Sequence, residues 1–190
     1  FFFKQKTAYE IPKRDWSSDV CSSDLLGDGL DPKTHVGPLV SRKEQDHVAT
    51  LVDAAVAEGA KVACGGKRAS DKSFGYHPTV LTNVAFDAAI LNEEIFGPVA
   101  PIVKFSDKDD ILTYCNSVEH GLVSYVFTRD VGRGLKFAEA LETGMIGLNR
   151  GLVSDPAAPF GGVKASGLGR EGGHDGLLAF LETKYVAGNW

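Results

Sequence analysis

The chain has 190 residues, 43% of them hydrophobic and 24% charged, the composition of an ordinary globular protein with room for one sizeable core. Its 20 Lys and Arg against 25 Asp and Glu leave a net charge of −5, which argues against nucleic acid or an anionic membrane as the main partner. No apolar run approaches the roughly 20 residues of a membrane-spanning helix. The three cysteines, Cys21, Cys64 and Cys115, are odd in number and widely spaced, so the reading is no disulfide framework and a reducing, cytoplasmic setting.

Residues 1–25 stand apart. They open Phe1-Phe2-Phe3-Lys4 without an initiator methionine, carry neither helical nor strand periodicity, and repeat Ser17-Ser18-Asp19 as Ser22-Ser23-Asp24. The stretch resembles translated sequencing-adapter DNA, with a disordered natural tail as the alternative. It lacks the apolar centre of a signal peptide. The expectation is a non-native or disordered leader over 1–25 and a truncated reading frame, so Trp16 and Cys21 are kept out of the fold.

From residue 26 onward, helix and strand signals alternate. Ser41-Arg42-Lys43-Glu44 has the form of a capping box. Beyond it Val48, Leu51, Val52, Ala55 and Val56 make one apolar helical stripe, which Gly59 is placed to end. Lys61–Cys64 reads as a short strand, and Tyr76–Leu81 as an extended piece that Pro78 assigns to a sheet edge. Ala100–Phe105 reads as a buried strand. Ser106 is expected to cap a helix with Ile111, Leu112 and Cys115 on one side. Val123–Phe127 is a further strand. Asp130 opens a helix whose apolar side carries Val131, Leu135, Ala138 and Leu141, with Gly144 ending it, and Met145–Leu148 follows as a strand. Residues 150–170 read as loop, Leu177–Leu181 closes a short helix, and Thr183–Val186 is a last extended segment. This succession predicts an α/β fold with a mostly parallel sheet and flanking helices. The expected division is one region over 26–181 and a C-terminal strand over 182–190 that pairs between subunits.

Two segments mix acid, aromatic and glycine in an order that no amphipathic pattern requires. The first is Asn92-Glu93-Glu94-Ile95-Phe96-Gly97-Pro98-Val99. A carboxylate can accept hydrogen bonds from two vicinal ribose hydroxyls, and an aromatic two residues later lies on the same side of an extended segment. The second runs from Asn149 through Ser154 to Pro159-Phe160-Gly161-Gly162-Val163-Lys164-Ala165-Ser166-Gly167 and on to Glu171. A loop of this length inside a compact domain usually has a job.

Together these segments resemble the nicotinamide-ribose clamp and the substrate-mouth loop of the aldehyde dehydrogenase superfamily. The resemblance covers about residues 26–190. In the second segment the form Gly-Leu-x-Ser before Pro-Phe-Gly-Gly is most similar to the succinate-semialdehyde dehydrogenases. The resemblance implies that Glu94 anchors the nicotinamide ribose of NAD or NADP and that Phe96 lies against the ring. It implies that Ser154 helps hold a distal carboxylate of a small aldehyde and that Phe160 supplies an apolar wall. The family's nucleophilic cysteine, which carries the acyl group as a thioester, and its general-base glutamate lie upstream of the matching region. The chain alone is therefore expected to be inactive, and a homo-oligomer is expected of the intact enzyme. Another semialdehyde dehydrogenase, a coenzyme A-acylating one, and a non-catalytic interaction module remain as alternatives.

Three further features point to no chemistry. Gly167-Leu168-Gly169-Arg170-Glu171-Gly172 matches a dinucleotide fingerprint literally, but no apolar strand precedes it and no acid follows at the required distance. Cys64 and Cys115 read as small buried hydrophobes rather than nucleophiles. The histidines have no ligand spacing, so no metal site is expected. Arg150 reads as an exposed or structural arginine.

Overall fold

The computed structural model describes residues 26–70 and 73–189. The expectation for residues 1–25 lies outside the described residues. The chain divides into two compact units between Ser106 and Asp107.

In the first unit the helix α1 (Arg42–Ala57) starts where Ser41 Oγ accepts a hydrogen bond from the Glu44 N–H at 3.2 Å, satisfying one of the free donors of the first turn. Its stripe is buried at Val48, Leu51, Val52 and Ala55, while Val56 remains largely exposed. Each fully buried Val or Leu of this kind contributes about 2 kcal/mol. Gly59 ends the helix with φ +105°, a conformation that a side chain would oppose. The chain then forms β1 (Lys61–Cys64), β2 (Thr79–Thr82) and β3 (Val99–Pro101). They make one sheet in the order β1-β2-β3, with β1 and β2 antiparallel and β2 and β3 parallel.

α1 packs with this unit's core around Leu81, Ile90 and Tyr76. The buried Gln45 side chain donates from Nε2 to the carbonyls of Ser73 and Gly75, at 3.2 and 2.7 Å, and so fastens that loop to the helix. Pro78 does not mark an edge, because β2 is the central strand. Proline stands just before the strand, where its missing N–H costs no ladder bond, and Thr79 supplies the first donor, to the Pro98 carbonyl. The strand expected over Ala100–Phe105 stops at Pro101, and Phe105 is exposed.

In the second unit α2 (Ile111–Asn116) is capped by Asp110 rather than Ser106: the Asp110 carboxylate accepts from the Thr113 N–H at 3.2 Å. The Thr113 side-chain hydroxyl, and after it this backbone bond, hold the Asp110 carboxyl below its usual range. There follow β4 (His120–Gly121), β5 (Val123–Val126), α3 (Val131–Ala140) and β6 (Met145–Leu148). The strands β5 and β6 pair in parallel, Val123 beside Met145 through Val126 beside Leu148, with α3 as the connection between them. Asp130 caps α3 by accepting from the Arg133 N–H at 3.0 Å.

The apolar side read for α3 is only partly covered, with Val131 69% and Leu135 56% exposed while Leu141 is buried. The loop over 150–170 contains a short strand, β7 (Val163–Lys164), antiparallel to β4. The last helix, α4, spans Gly173–Leu178, and residues 181–189 are exposed with no strand pairing among the described residues. The fold is α/β, with parallel and antiparallel pairings mixed. Among the described residues no helix is long and apolar enough to cross a membrane.

Candidate functional site

The Glu93–Pro98 segment is irregular but firmly held. Ile95 is partly buried against the core of the first unit. A Cβ added to Gly97 would stand 2.8 Å from Val48 Cγ2, so only glycine lets this backbone lie against α1. The Pro98 carbonyl accepts from the Thr79 N–H at 2.8 Å, after which the chain enters β3. With Ile95 and Gly97 directed inward, Glu94 and Phe96 face outward, and the Phe96 ring is 52% exposed. Glu93 Oε2 lies 3.6 Å from His47 Nε2 on α1, a half-exposed pair worth about 0–1 kcal/mol when the imidazole is protonated. Among the described residues the Glu94 carboxylate has neither an ion-pair nor a hydrogen-bond partner. An unpartnered carboxylate and an exposed aromatic ring therefore stand two residues apart on this segment. The carboxylate can accept hydrogen bonds from hydroxyl groups, and the ring offers an apolar face.

The second segment is anchored at both ends. Asn149, with φ +54°, makes two hydrogen bonds to one residue: its Nδ2 donates to the Thr128 carbonyl and its Oδ1 accepts from the Thr128 N–H, each at 2.9 Å. This pair fastens the residue after the end of β6 to Thr128, two residues beyond the end of β5. At the far end Phe160 and Glu171 exchange backbone hydrogen bonds of 2.6 and 2.7 Å. Between these anchors Ser154 is exposed, and its hydroxyl has no partner among the described residues. Phe160 is half-buried.

Most of the remaining polar groups of the segment serve its own shape. Arg170 Nη1 donates to the carbonyls of Gly162, Leu168 and Gly169, at 2.7, 3.2 and 2.9 Å. Ser166 Oγ accepts from the Gly121 N–H at 3.0 Å. Sequence reasoning assigned no role to Asn149, Lys164, Ser166 or Arg170. The mixture of asparagine and basic residues inside a glycine-rich loop was the available signal, because such loops need side chains to satisfy backbone groups that no ladder satisfies.

The sequence-predicted residues thus fall in different units, Glu94 and Phe96 in the first, Ser154 and Phe160 in the second. The literal fingerprint at Gly167–Gly172 follows a two-residue strand and a turn, and its arginine is curled back onto neighbouring carbonyls. Cys115 is half-buried and free, and burial pushes its thiol up to about 11, far from a thiolate at neutral pH. Cys64, at the end of β1, is half-buried. No group of three or more metal-ligating side chains occurs among the described residues.

The chain belongs to the aldehyde dehydrogenase family, whose model matches residues 20–186. It is 47% identical over 160 residues to a succinate-semialdehyde dehydrogenase of Paenarthrobacter nicotinovorans, covering 84% of this chain and 36% of that protein. To a glutarate-semialdehyde dehydrogenase of Pseudomonas putida it is 46% identical over 161 residues, covering 85% and 33%. Among solved structures, an NADP-dependent enzyme of Escherichia coli superposes with a TM-score of 0.84 at 42% identity, covering 88% of this chain and 35% of that one. The chain spans about a third of the length of these proteins. The family resemblance carried by the two motifs is therefore established, and with it the α/β class.

Proposed function

We propose that this chain is part of an NAD- or NADP-dependent dehydrogenase that oxidises a small semialdehyde, succinate semialdehyde in the first place, to the dicarboxylic acid. The observation that carries the reading is the outward pair Glu94 and Phe96, unburdened by internal contacts on a segment that Ile95, Gly97 and Pro98 lock to the core. In this reading the Glu94 carboxylate accepts from both hydroxyls of the nicotinamide ribose, and Phe96 restricts the ring to one orientation. The dinucleotide supplies the hydride acceptor when bound. Ser154, with its hydroxyl free, donates a hydrogen bond to the substrate's distal carboxylate, while Phe160 lines the apolar part of the mouth and excludes water.

In this reading the nucleophilic cysteine lies outside the matching region, and Cys115, a half-buried thiol raised to about 11, is not a usable thiolate. The exposed segment over residues 181–189 is assigned to pairing with a second copy of the enzyme. Glutarate semialdehyde is the second substrate reading, favoured by the Pseudomonas putida relative. One methylene in an apolar pocket separates two such substrates by only about 1–3 kcal/mol.

The test is a chimera in which residues 26–189 replace the matching third of the Paenarthrobacter nicotinovorans relative. The expected result is nicotinamide reduction with succinate semialdehyde, and a KM for that substrate raised roughly tenfold by Ser154→Ala with propanal kinetics unchanged. A folded chimera that oxidises simple aldehydes but gains nothing from a distal carboxylate would remove the semialdehyde assignment. One that oxidises no aldehyde would remove the dehydrogenase reading.

A further inference from the structure

Lys164 stands out in the second unit because its backbone is in a conformation that a lysine ordinarily avoids. Its φ is +55°, in the left-handed region where a non-glycine residue costs on the order of 1 kcal/mol. Such a conformation persists only where the surroundings over-determine it. Here they do so through the side chain. Lys164 Nζ donates to the Asn116 carbonyl at 2.7 Å and to the Val118 carbonyl at 3.3 Å, and forms an ion pair with Glu142 Oε2 at 2.5 Å. The ammonium is the more sheltered partner, with its side chain 26% exposed against 55% for Glu142.

The groups it gathers are themselves joined. Asn116 donates from Nδ2 to the Ala140 carbonyl at 2.8 Å and accepts at Oδ1 from the Glu142 N–H at 2.9 Å. One cation thus ties together the end of α2, the turn between α3 and β6, and β7. That turn contains Gly144, whose N–H donates to the Gly121 carbonyl at 3.0 Å. A Cβ on Gly144 would stand 2.1 Å from the Gly161 carbonyl oxygen, so the turn directly supports the Gly161-Gly162 backbone. Gly162 in turn lies against Ser166 and the Gly121 carbonyl. Any slackening at Lys164 is therefore passed to the backbone that immediately follows Phe160.

We propose that Lys164, acting through Asn116 and Glu142, is a positioning residue that sets the height of the Phe160–Gly162 wall and thereby the length of aldehyde the enzyme prefers. The inference rests on the reading of Phe160 as a substrate wall. Lys164 itself touches no reacting atom.

Two measurements test it separately. In the 190-residue chain, Lys164→Met is expected to speed hydrogen exchange at the Phe160 and Glu171 amides roughly tenfold while leaving the β5–β6 amides unchanged. Equal acceleration throughout the second unit, or none at Phe160, would overturn the positioning role. Glu142→Gln, which keeps an acceptor but removes the charge, is expected to give a smaller change in the same direction, and it serves if Lys164→Met does not fold. In the chimera described above, Lys164→Met is expected to shift the ratio of kcat/KM between succinate and glutarate semialdehydes by roughly fivefold, and Lys164→Arg to restore most of it. An unchanged ratio in an active enzyme overturns the specificity claim alone. An unvaried chimera inactive toward every aldehyde overturns the dehydrogenase reading and with it the claim on aldehyde length, while the exchange result still decides whether Lys164 holds the wall.

Discussion

The two motifs use their residues in opposite ways. In Glu93–Pro98 the work is divided along the chain: Ile95 and Gly97 face the core, and Glu94 and Phe96 are left free. In the segment from Asn149 to Glu171 the polar side chains are mostly consumed in holding the loop, with Asn149, Lys164, Ser166 and Arg170 all bonded to backbone. A segment leaning on a helix and a sheet can spare its side chains for a ligand. A long loop with few ladder bonds must spend most of them on itself, and the Ser154 hydroxyl and the Phe160 ring are among the groups it leaves for chemistry. The same density of unusual residues therefore means different things in the two places.

The contrast can be broken or sharpened by substitution. The largest effect is expected from Gly144→Ala in the loop's support, where the new methyl would meet the Gly161 carbonyl oxygen at 2.1 Å and destabilise the second unit by about 3 kcal/mol, read as a lower denaturant midpoint. A variant as stable as the parent would mean that the loop is not built on that contact. Next comes Glu94→Gln. It should slow hydride transfer in the chimera by roughly tenfold in single-turnover experiments while leaving the melting temperature of the 190-residue chain in place. A drop in melting temperature would show that Glu94 is spent on structure after all, and equal transfer rates would count against the ribose anchor.

Ser41→Ala should cost about 1 kcal/mol through the lost cap of α1 and leave exchange at the Phe160 amide unaltered, because the cap belongs to the first unit. The last effect, absent at neutral pH, concerns Cys115. Its thiol is raised by burial from 9.0 to about 11, so the folded state keeps its proton where the unfolded state has lost it. The resulting stability is intact below pH 9 and is lost as pH climbs from 9 through 11. Cys115→Ala should flatten that alkaline decline, which urea melts across this pH range would detect.

Local signals in the sequence were read correctly wherever the structure is made locally. The Ser41 and Asp130 caps, the stripe of α1, its end at Gly59, and the strands over Lys61–Cys64 and Met145–Leu148 all depend on neighbours a few residues away. Most of what was misread depends on partners far along the chain. Pro78 could be placed at an edge only by ignoring that Thr79, not proline, gives the first ladder bond to the Pro98 carbonyl. Ser106 and Asp110 are both reasonable caps, and the choice fell to the residue directly before the first turn. β7 escaped notice because two residues among glycines carry no period, and their pairing with His120 and Gly121 is set by the fold. Of the site, Glu94 and Phe96 could be singled out from the order of residue types together with the family's pattern. The role of Lys164 could not, since nothing within five residues of it supplies Asn116 or Glu142.

Asn149 grips a single residue, Thr128, with both ends of its amide. The point from which the loop departs is thereby fixed by the strands, whatever letters follow. The stretch between Asn149 and Phe160 can then be rewritten by evolution, or exchanged by an engineer, like a interchangeable tool head on a fixed shank. New preferences for one aldehyde over another can arise there without the handle having to be recast.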